Sequence, residues 1–384
     1  MFFIIFISCI LIFVLYYIGA ILFLRRGLAT LVSVPLQNAQ SELSFSIIIA
    51  AHNEADNIAR CLDSVMQQTI DTSRFEVVVV SDRSTDQTEQ IVQSYISRFP
   101  NISLVRIDQT PPGYSPKKYA LTKAIATSRH KILVITDADC TVKPTWLAAI
   151  DNAFSPDVGL VQGVTTYQKP IGMSALFFGL QAIDFLSHGI IAAAAIGAGM
   201  PINSNANNFA IRRKIFDLVG GYESVHGVIS GDDDLLLQRV SGLHTQKIRF
   251  MTDPLGAVAT LPSLTFGALI EQRKRWGSKT VYYSMQQRAF LAGIFGFYCS
   301  ICMSILAGVF SPRLWLLTIA LLILKTLGEL ILMVPGTKLF CQEQLRPYIV
   351  PASMLQLPVV LFAVVAGVFG RFSWKGIRYA RSAQ

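Results

Sequence analysis

Hydrophobic positions fall into two patterns along this chain. The first is long and unbroken. Residues 2–24 (FFIIFISCILIFVLYYIGAILFL) carry no charge, and Arg25 and Arg26 follow at once. That stretch is long enough to cross a hydrocarbon core of about 30 Å, and such a basic flank stays on the cytoplasmic side. It lacks the basic start, short core and small-residue cleavage site of a signal peptide, so it reads as an uncleaved anchor. Three more apolar stretches predict spans over 289–310, 314–334 and 348–370. The middle one carries Lys325 and Glu329 on one helical face, where they can neutralise each other or face a neighbouring helix. Arg371, Lys375, Arg378 and Arg381 argue for a cytoplasmic tail. Four crossings around a cytoplasmic centre would instead leave that tail outside. Either one segment lies at the interface or the charge rule fails here. Residues 171–200 are also apolar, but Asp184 and His188 interrupt them. They read as a membrane-surface or groove-forming helix rather than a span.

The second pattern begins at residue 45, where short β-branched runs alternate with helical stretches. FSIIIAA (45–51), FEVVVV (75–80), ISLVRI (102–107) and KILVIT (131–136) predict buried strands. DNIARCLDSVMQQ and KKYALTKAIA predict helices between them, and Ser84 with Gln87 fits a capping box opening another. Strand and helix alternating in this way imply an α/β fold, a mostly parallel sheet with helices on both faces. The organisation is an anchor (1–30), a polar linker (33–44), an α/β domain (45–285) and a C-terminal membrane region with a basic tail (286–384).

Composition agrees: 52% of the 384 residues are hydrophobic and 15% charged, where a soluble domain has about 25% charged. The net charge of +9 suits a cytoplasmic face held against anionic lipid, and nucleic acid is not expected as a partner. The six cysteines are scattered and form no disulfide framework; Cys299 and Cys302 read as packed thiols in an apolar run. No G-x-G-x-x-G follows the first strand, which disfavours a nicotinamide-dependent enzyme. Apart from Lys325 and Glu329 the spans are apolar, which disfavours transport as the sole activity.

In parallel sheets ligands bind beyond the carboxyl ends of the strands. Here those ends carry His52-Asn53-Glu54, Ser81-Asp82 and Asp137-Ala138-Asp139. Residues two apart on an extended segment project to one side, so Asp137 and Asp139 repel unless a cation joins them. Hard oxygen ligands suit Mg²⁺ or Mn²⁺, which keep positions open for phosphate oxygens.

Five motifs in order resemble a membrane-embedded family 2 glycosyltransferase of the GT-A (Rossmann-like) fold, of the cellulose and hyaluronan synthase kind. The resemblance covers residues 45–280. IleAlaAlaHisAsnGlu (49–54) is similar to the segment that cradles the nucleotide base. The resemblance implies donor contacts from Ala50, His52, Glu54 and Asp82, with Glu54 and Asp82 accepting hydrogen bonds from uridine or the sugar ring. ProLysLysTyrAlaLeu has Pro116 where the family usually has Gly, so donor phosphate could pair with Lys117 or with Lys118. ThrAspAlaAspCys (136–140) is the DxD motif, with Asp139 and Asp137 on the metal and Asp137 on the donor. SerGlyAspAspAspLeu (230–235) stands where the family carries its general base. Aligning the Asp-Leu step implies Asp232 as base and Asp234 as a helix start. Gly231 replaces the usual Glu and leaves Asp233 as the alternative base. Asn208 matches an acceptor-side Asn. GlnArgLysArgTrp (272–276) is a full QxxRW motif, which implies acceptor or diphosphate contacts from Gln272, Arg275 and Trp276; the same residues also suit a membrane-interface anchor.

The expected activity is an inverting, metal-dependent transfer from a nucleotide sugar, with a UDP-sugar as the expected donor, to a lipid or membrane-associated glycan. The expected location is the plasma (inner) membrane, with the catalytic domain cytoplasmic. The alternatives are a processive polysaccharide synthase coupled to export, and an inactive scaffold of the same fold, which the intact acidic set disfavours.

Overall fold

The computed structural model describes residues 2–31, 43–375 and 377–380, so the predicted linker lies almost wholly outside the described residues, as does Arg381. Helix α1 (Phe2–Leu31) comes first and runs on through Arg25 and Arg26 rather than ending before them. Then follow β1 (Phe45–Ala51), α2 (Ile58–Met66), β2 (Phe75–Asp82), α3 (Thr88–Ile96), β3 (Ile102–Ile107), α4 (Pro116–Thr127) and β4 (Ile132–Asp137). After β5 (Thr141–Val142), α5 (Trp146–Ala153), β6 (Val158–Gly163) and β7 (Thr165–Tyr167) comes the long helix α6 (Ala175–Gly197). The chain continues through β8 (Phe209–Arg212), α7 (Arg213–Leu218), α8 (Asp234–Gly242), β9 (Lys247–Met251) and β10 (Val258–Thr260). Last come α9 (Phe266–Ser278), α10 (Met285–Phe310), α11 (Trp315–Leu339), α12 (Ile349–Phe369) and the hairpin β11 (Arg371–Trp374) and β12 (Ile377–Ala380).

These elements form two compact units, divided differently from the boundaries drawn on the sequence. The segments Ser174–Gly199 and Ser263 onward belong with α1 in a helical unit, so α6 and α9 are not part of the sheet unit.

The sheet unit is built on seven strands in the order β3-β2-β1-β4-β8-β6-β9. β1, β2, β3 and β4 are mutually parallel, whereas β8 runs antiparallel between β4 and β6. Both faces are covered, which is why the strands read as unbroken apolar runs. Ile47, Val77 and Val134 enter one core with Trp146; Ile48, Val78 and Leu133 enter the other with Leu121. All eight are 1% exposed or less, a burial worth about 1.5–3 kcal/mol for each aliphatic side chain.

In the helical unit, five helices are long and apolar enough to cross a membrane, α6 among them. Connectivity argues against a crossing by α6. β6 before it and β8 after it bond to each other in one sheet, and a bilayer of about 30 Å cannot lie between them. α6 meets α1 through small residues: a Cβ on Gly27 would collide with the Ala194 carbonyl, and one on Gly197 with the Gly27 carbonyl. Tyr17 of α1 stacks on Phe297 of α10 at 4.1 Å and donates to the Lys325 carbonyl of α11 at 3.0 Å. Lys325 is fully buried and donates to Glu329, to the Ser353 carbonyl at 2.7 Å and to Gln356 at 3.3 Å. The Lys325–Glu329 pair therefore both neutralises itself and engages a neighbouring helix. The second half of α12, beyond Pro358, runs along α9, where a Cβ on Gly277 would lie 2.6 Å from the Ala363 carbonyl. The hairpin follows it there, with Ser373 N donating to Glu271 at 2.6 Å.

Candidate active site

Because β1, β2 and β4 are parallel and in register, their carboxyl ends lie level: Ala50 is opposite both Val80 and Asp137. The loops after β1 and β2 are laced together. Asn53, in the left-handed region at φ 54°, accepts from Thr85 N at 2.8 Å and donates from its own N to Ser84 Oγ at 3.2 Å. Ser84 therefore serves the neighbouring loop rather than capping α3 with Gln87; Asp86 takes the cap, accepting from Thr88 N at 3.0 Å. His52 Nδ1 bonds the Asp82 carbonyl, an acceptor only, so this nitrogen carries the proton. Glu54 accepts from Asn57 Nδ2 at 2.9 Å. The Asp82 carboxylate is held by the next residue, with Arg83 Nε on Oδ1 at 2.8 Å and Nη2 on Oδ2 at 3.0 Å. Sequence reasoning missed Arg83, whose only signal there is adjacency to Asp82; in the structure it sits in the left-handed region at φ 53°.

The adjacent lysines have different fates. Pro116 opens α4 at a position where its missing N–H costs nothing. Lys118 points inward, 1% exposed, donating to the Val228 carbonyl and to the Ser230 carbonyl at 2.9 Å. With Ser115 N on the His226 carbonyl at 2.6 Å, it ties the start of α4 to the 226–230 loop. Lys117 points toward the strand ends, 2.8 Å from Asp137 Oδ1 and 3.0 Å from Asp232 Oδ2. Burial alone would lower the Lys117 pKa, but Asp137 and Asp232 outweigh it and raise it. Burial likewise works against the Asp232 carboxylate, yet Lys117 and then Lys118 hold it down at about 2.

The three consecutive aspartates separate just as sharply. Gly231, at φ 80°, supplies the left-handed turn that a Glu would strain. Asp233 caps α8, accepting from Asp234 N at 2.7 Å and Ala206 N at 2.9 Å, and Asp234 accepts from Ser204 N. Both are engaged by backbone, while Asp232 faces Lys117. Asn208 is 1% exposed and its amide is taken within the fold: Nδ2 donates to the Val164 and Gly256 carbonyls, each at 2.9 Å, and Oδ1 accepts from Trp146 Nε1 at 3.0 Å. Its amide ties the segments just after β6 and just before β10 to the start of α5, through Val164, Gly256 and Trp146.

Asp139 is the carboxylate most in need of a cation. Burial, then Asp137 and Glu54, push its pKa up to about 6. Among the described residues no three carboxylate, imidazole or thiol groups form a closed metal cluster. The donor set still fits a hard divalent cation, because Mg²⁺ commonly takes one or two carboxylates and completes its shell with water and substrate phosphate.

Gln272, Arg275 and Trp276 all lie on α9, in the helical unit. The sheet unit itself gathers Lys117, Asp137 and Asp232.

A mixed α/β unit whose mostly parallel sheet sets acidic residues at its strand ends has the architecture of a GT-A glycosyltransferase. A mannosyltransferase from Pyrobaculum calidifontis, solved with GDP-Man and Mn²⁺, shares the fold at a TM-score of 0.60 and 18% identity, over 91% of this chain and 98% of that one. The chain belongs to glycosyl transferase family 21, whose model matches residues 5–380, where the sequence motifs had suggested family 2. It is similar to the glycosyltransferase AglE of Haloferax volcanii, 27% identical over 65% of this chain and 77% of that protein. It is also similar to a beta-monoglucosyldiacylglycerol synthase of Synechocystis sp., 27% identical over 60% of this chain and 46% of the synthase, under half that protein's length.

Proposed function

We propose that this chain transfers a sugar from a nucleotide-sugar donor to a hydroxyl of a lipid or membrane-associated glycan, with inversion, by direct displacement. The observation that carries the reading is Lys117 between Asp137 and Asp232, which sets a cation and two carboxylates together at the carboxyl end of the central strand β4. Asp232 takes the acceptor proton. Asp232 is ionised and paired with the Lys117 ammonium, whereas Asp233 is taken up by the N–H groups of Ala206 and Asp234, so Asp232 is the carboxylate of the run placed to accept a proton. Lys117 is within reach of a diphosphate entering beside Asp137. Asp139 and Asp137 would hold Mg²⁺ or Mn²⁺, whose bound charge would stabilise the departing diphosphate. Ala50, His52, Glu54 and Asp82 line the strand ends on the donor side, with uridine the base that the motif resemblance suggests. Gln272, Arg275 and Trp276 serve the acceptor or the diphosphate.

The long apolar helices and the kinship with a glucosyldiacylglycerol synthase favour a membrane lipid as acceptor. The domain organisation we propose is a membrane anchor, a cytoplasmic catalytic sheet unit and a C-terminal membrane region. Purified protein in lipid should be supplied with a panel of nucleotide sugars and lipid acceptors. Release of nucleoside diphosphate together with a product heavier by one sugar supports single transfer. A ladder of masses favours processive synthesis, and release of neither product from any pair rejects the proposal.

A further inference from the structure

α6 is apolar except for a few positions, and two of those, Asp184 and His188, stand four apart on one face. A carboxylate on such a helix is costly unless it is paired. Its partner is Arg273 of α9, one of the two variable positions inside the QxxRW motif, to which the motif itself gives no role. Arg273 is 6% exposed and makes three kinds of contact at once. Its Nη2 donates to Asp184. Its guanidinium lies over the Trp276 ring, 4.3 Å from the centroid. Its Nη1 donates to Gln272 Oε1 at 3.0 Å. Arginine has no acceptor, so the Gln272 atom facing it must be the oxygen, and the amide NH₂ is turned the other way as a donor. His188 meets Trp276 edge-on at 5.2 Å, and Phe185 borders the ring at 6.1 Å.

We infer that Asp184 and Arg273 form a positioning pair that sets the ring face of Trp276 and the donor direction of Gln272. The guanidinium fork is what allows one side chain to orient two motif residues, and Asp184 fixes the fork. The inference rests on the proposed role of Gln272 and Trp276 toward the acceptor. His188 then limits the tilt of the indole from its other side.

The test uses the full chain in lipid, with the acceptor and donor that support wild-type transfer. Asp184→Asn and Arg273→Gln should each raise the acceptor KM or lower transfer by about tenfold or more, the scale of a misplaced contact, with the donor KM within about twofold. The double variant should be no worse than the poorer single, because both changes remove one interaction. Arg273→Lys should stay impaired, since a single ammonium cannot replace the planar fork. Wild-type acceptor KM together with wild-type transfer in both single variants, or donor and acceptor parameters worsening in parallel, overturns the inference. Trp276→Ala separates it from the reading beneath it. Loss there with normal Asp184→Asn and Arg273→Gln rejects only the pair, whereas normal transfer there rejects the motif's role itself.

Discussion

The ammonium of Lys117 sits 3.0 Å from Asp232 Oδ2, on a side chain that also reaches Asp137. Asp232→Asn keeps the size and removes the proton acceptor. Turnover should fall by about 10²-fold or more, with donor affinity nearly intact. Asp233→Asn instead weakens the cap on α8 and the bond to Ala206 N, so it should cost about 1 kcal/mol of stability and little turnover per folded molecule. Steady-state rates and melting curves of both variants decide the matter. A greater turnover loss at Asp233 moves the base by one residue.

Lys117→Gln should raise the acid limb of the pH–rate profile. With Lys117 present the Asp232 carboxyl lies at about 2, below the range where most assays run. Without it, burial is left to raise that value, opposed by Lys118 and by a backbone hydrogen bond to the carboxylate. In the native protein this depressed carboxyl contributes stability that is complete above an unfolded value of about 3.9 and is lost as pH falls through the folded one. An unchanged acid limb in Lys117→Gln would mean that the ion pair does not govern the base.

Asp139 predicts the opposite sign. Its folded pKa is raised from 3.8 to about 6, so without a cation its ionisation destabilises the fold as pH climbs through that interval. The penalty above pH 6 is at most about 3 kcal/mol, at about 1.4 kcal/mol per pH unit. Mg²⁺ or Mn²⁺ should raise Tm more at pH 7.5 than at pH 5. Asp139→Asn should melt higher than wild type in chelator, lose the cation-induced shift and lose transfer. A cation-induced shift that survives in Asp139→Asn places the ion elsewhere.

The tail puzzle has a structural answer that labelling can check. The second half of α12 and the hairpin after it lie along α9, only a few residues before α10 begins. The tail is therefore expected on the same face as the start of α10, with α12 the segment that fails to cross. In a cysteine-free background, Lys375→Cys and Lys279→Cys should react with an impermeant maleimide from one side, and Arg313→Cys from the other. Labelling of Lys375→Cys together with Arg313→Cys would restore a fourth crossing.

What could be read from the sequence was what local pattern determines. The runs at 45–51 and 75–80 and residues 132–136 became strands because two-sided burial leaves an unbroken apolar signature. β8 was not legible. Four residues, FAIR, carry no periodicity, and their place between β4 and β6 depends on partners far away in the chain. The DxD and the aspartate run were visible as chemistry, but the roles within them were not. Asp233 is separated from Asp232 by the N–H of Ala206, and Lys118 from Lys117 by the carbonyls of Val228 and Ser230. The partners of Asn208 were not legible either, since the three buried groups that converge on its amide come from Trp146, Val164 and Gly256, far apart in the chain.

The place of β8 also sets a clock for biogenesis. β4 leaves the ribosome with one edge unpaired, and the strand that covers that edge follows only after α6, about 70 residues later. At about 5–20 residues per second the nascent sheet keeps an open edge for several seconds, an interval in which such an edge can pair wrongly. During that wait the apolar surface of α6 emerges and must itself be sheltered. Slowing synthesis within residues 138–208 should therefore lower the yield of folded protein more than the same delay placed after residue 262.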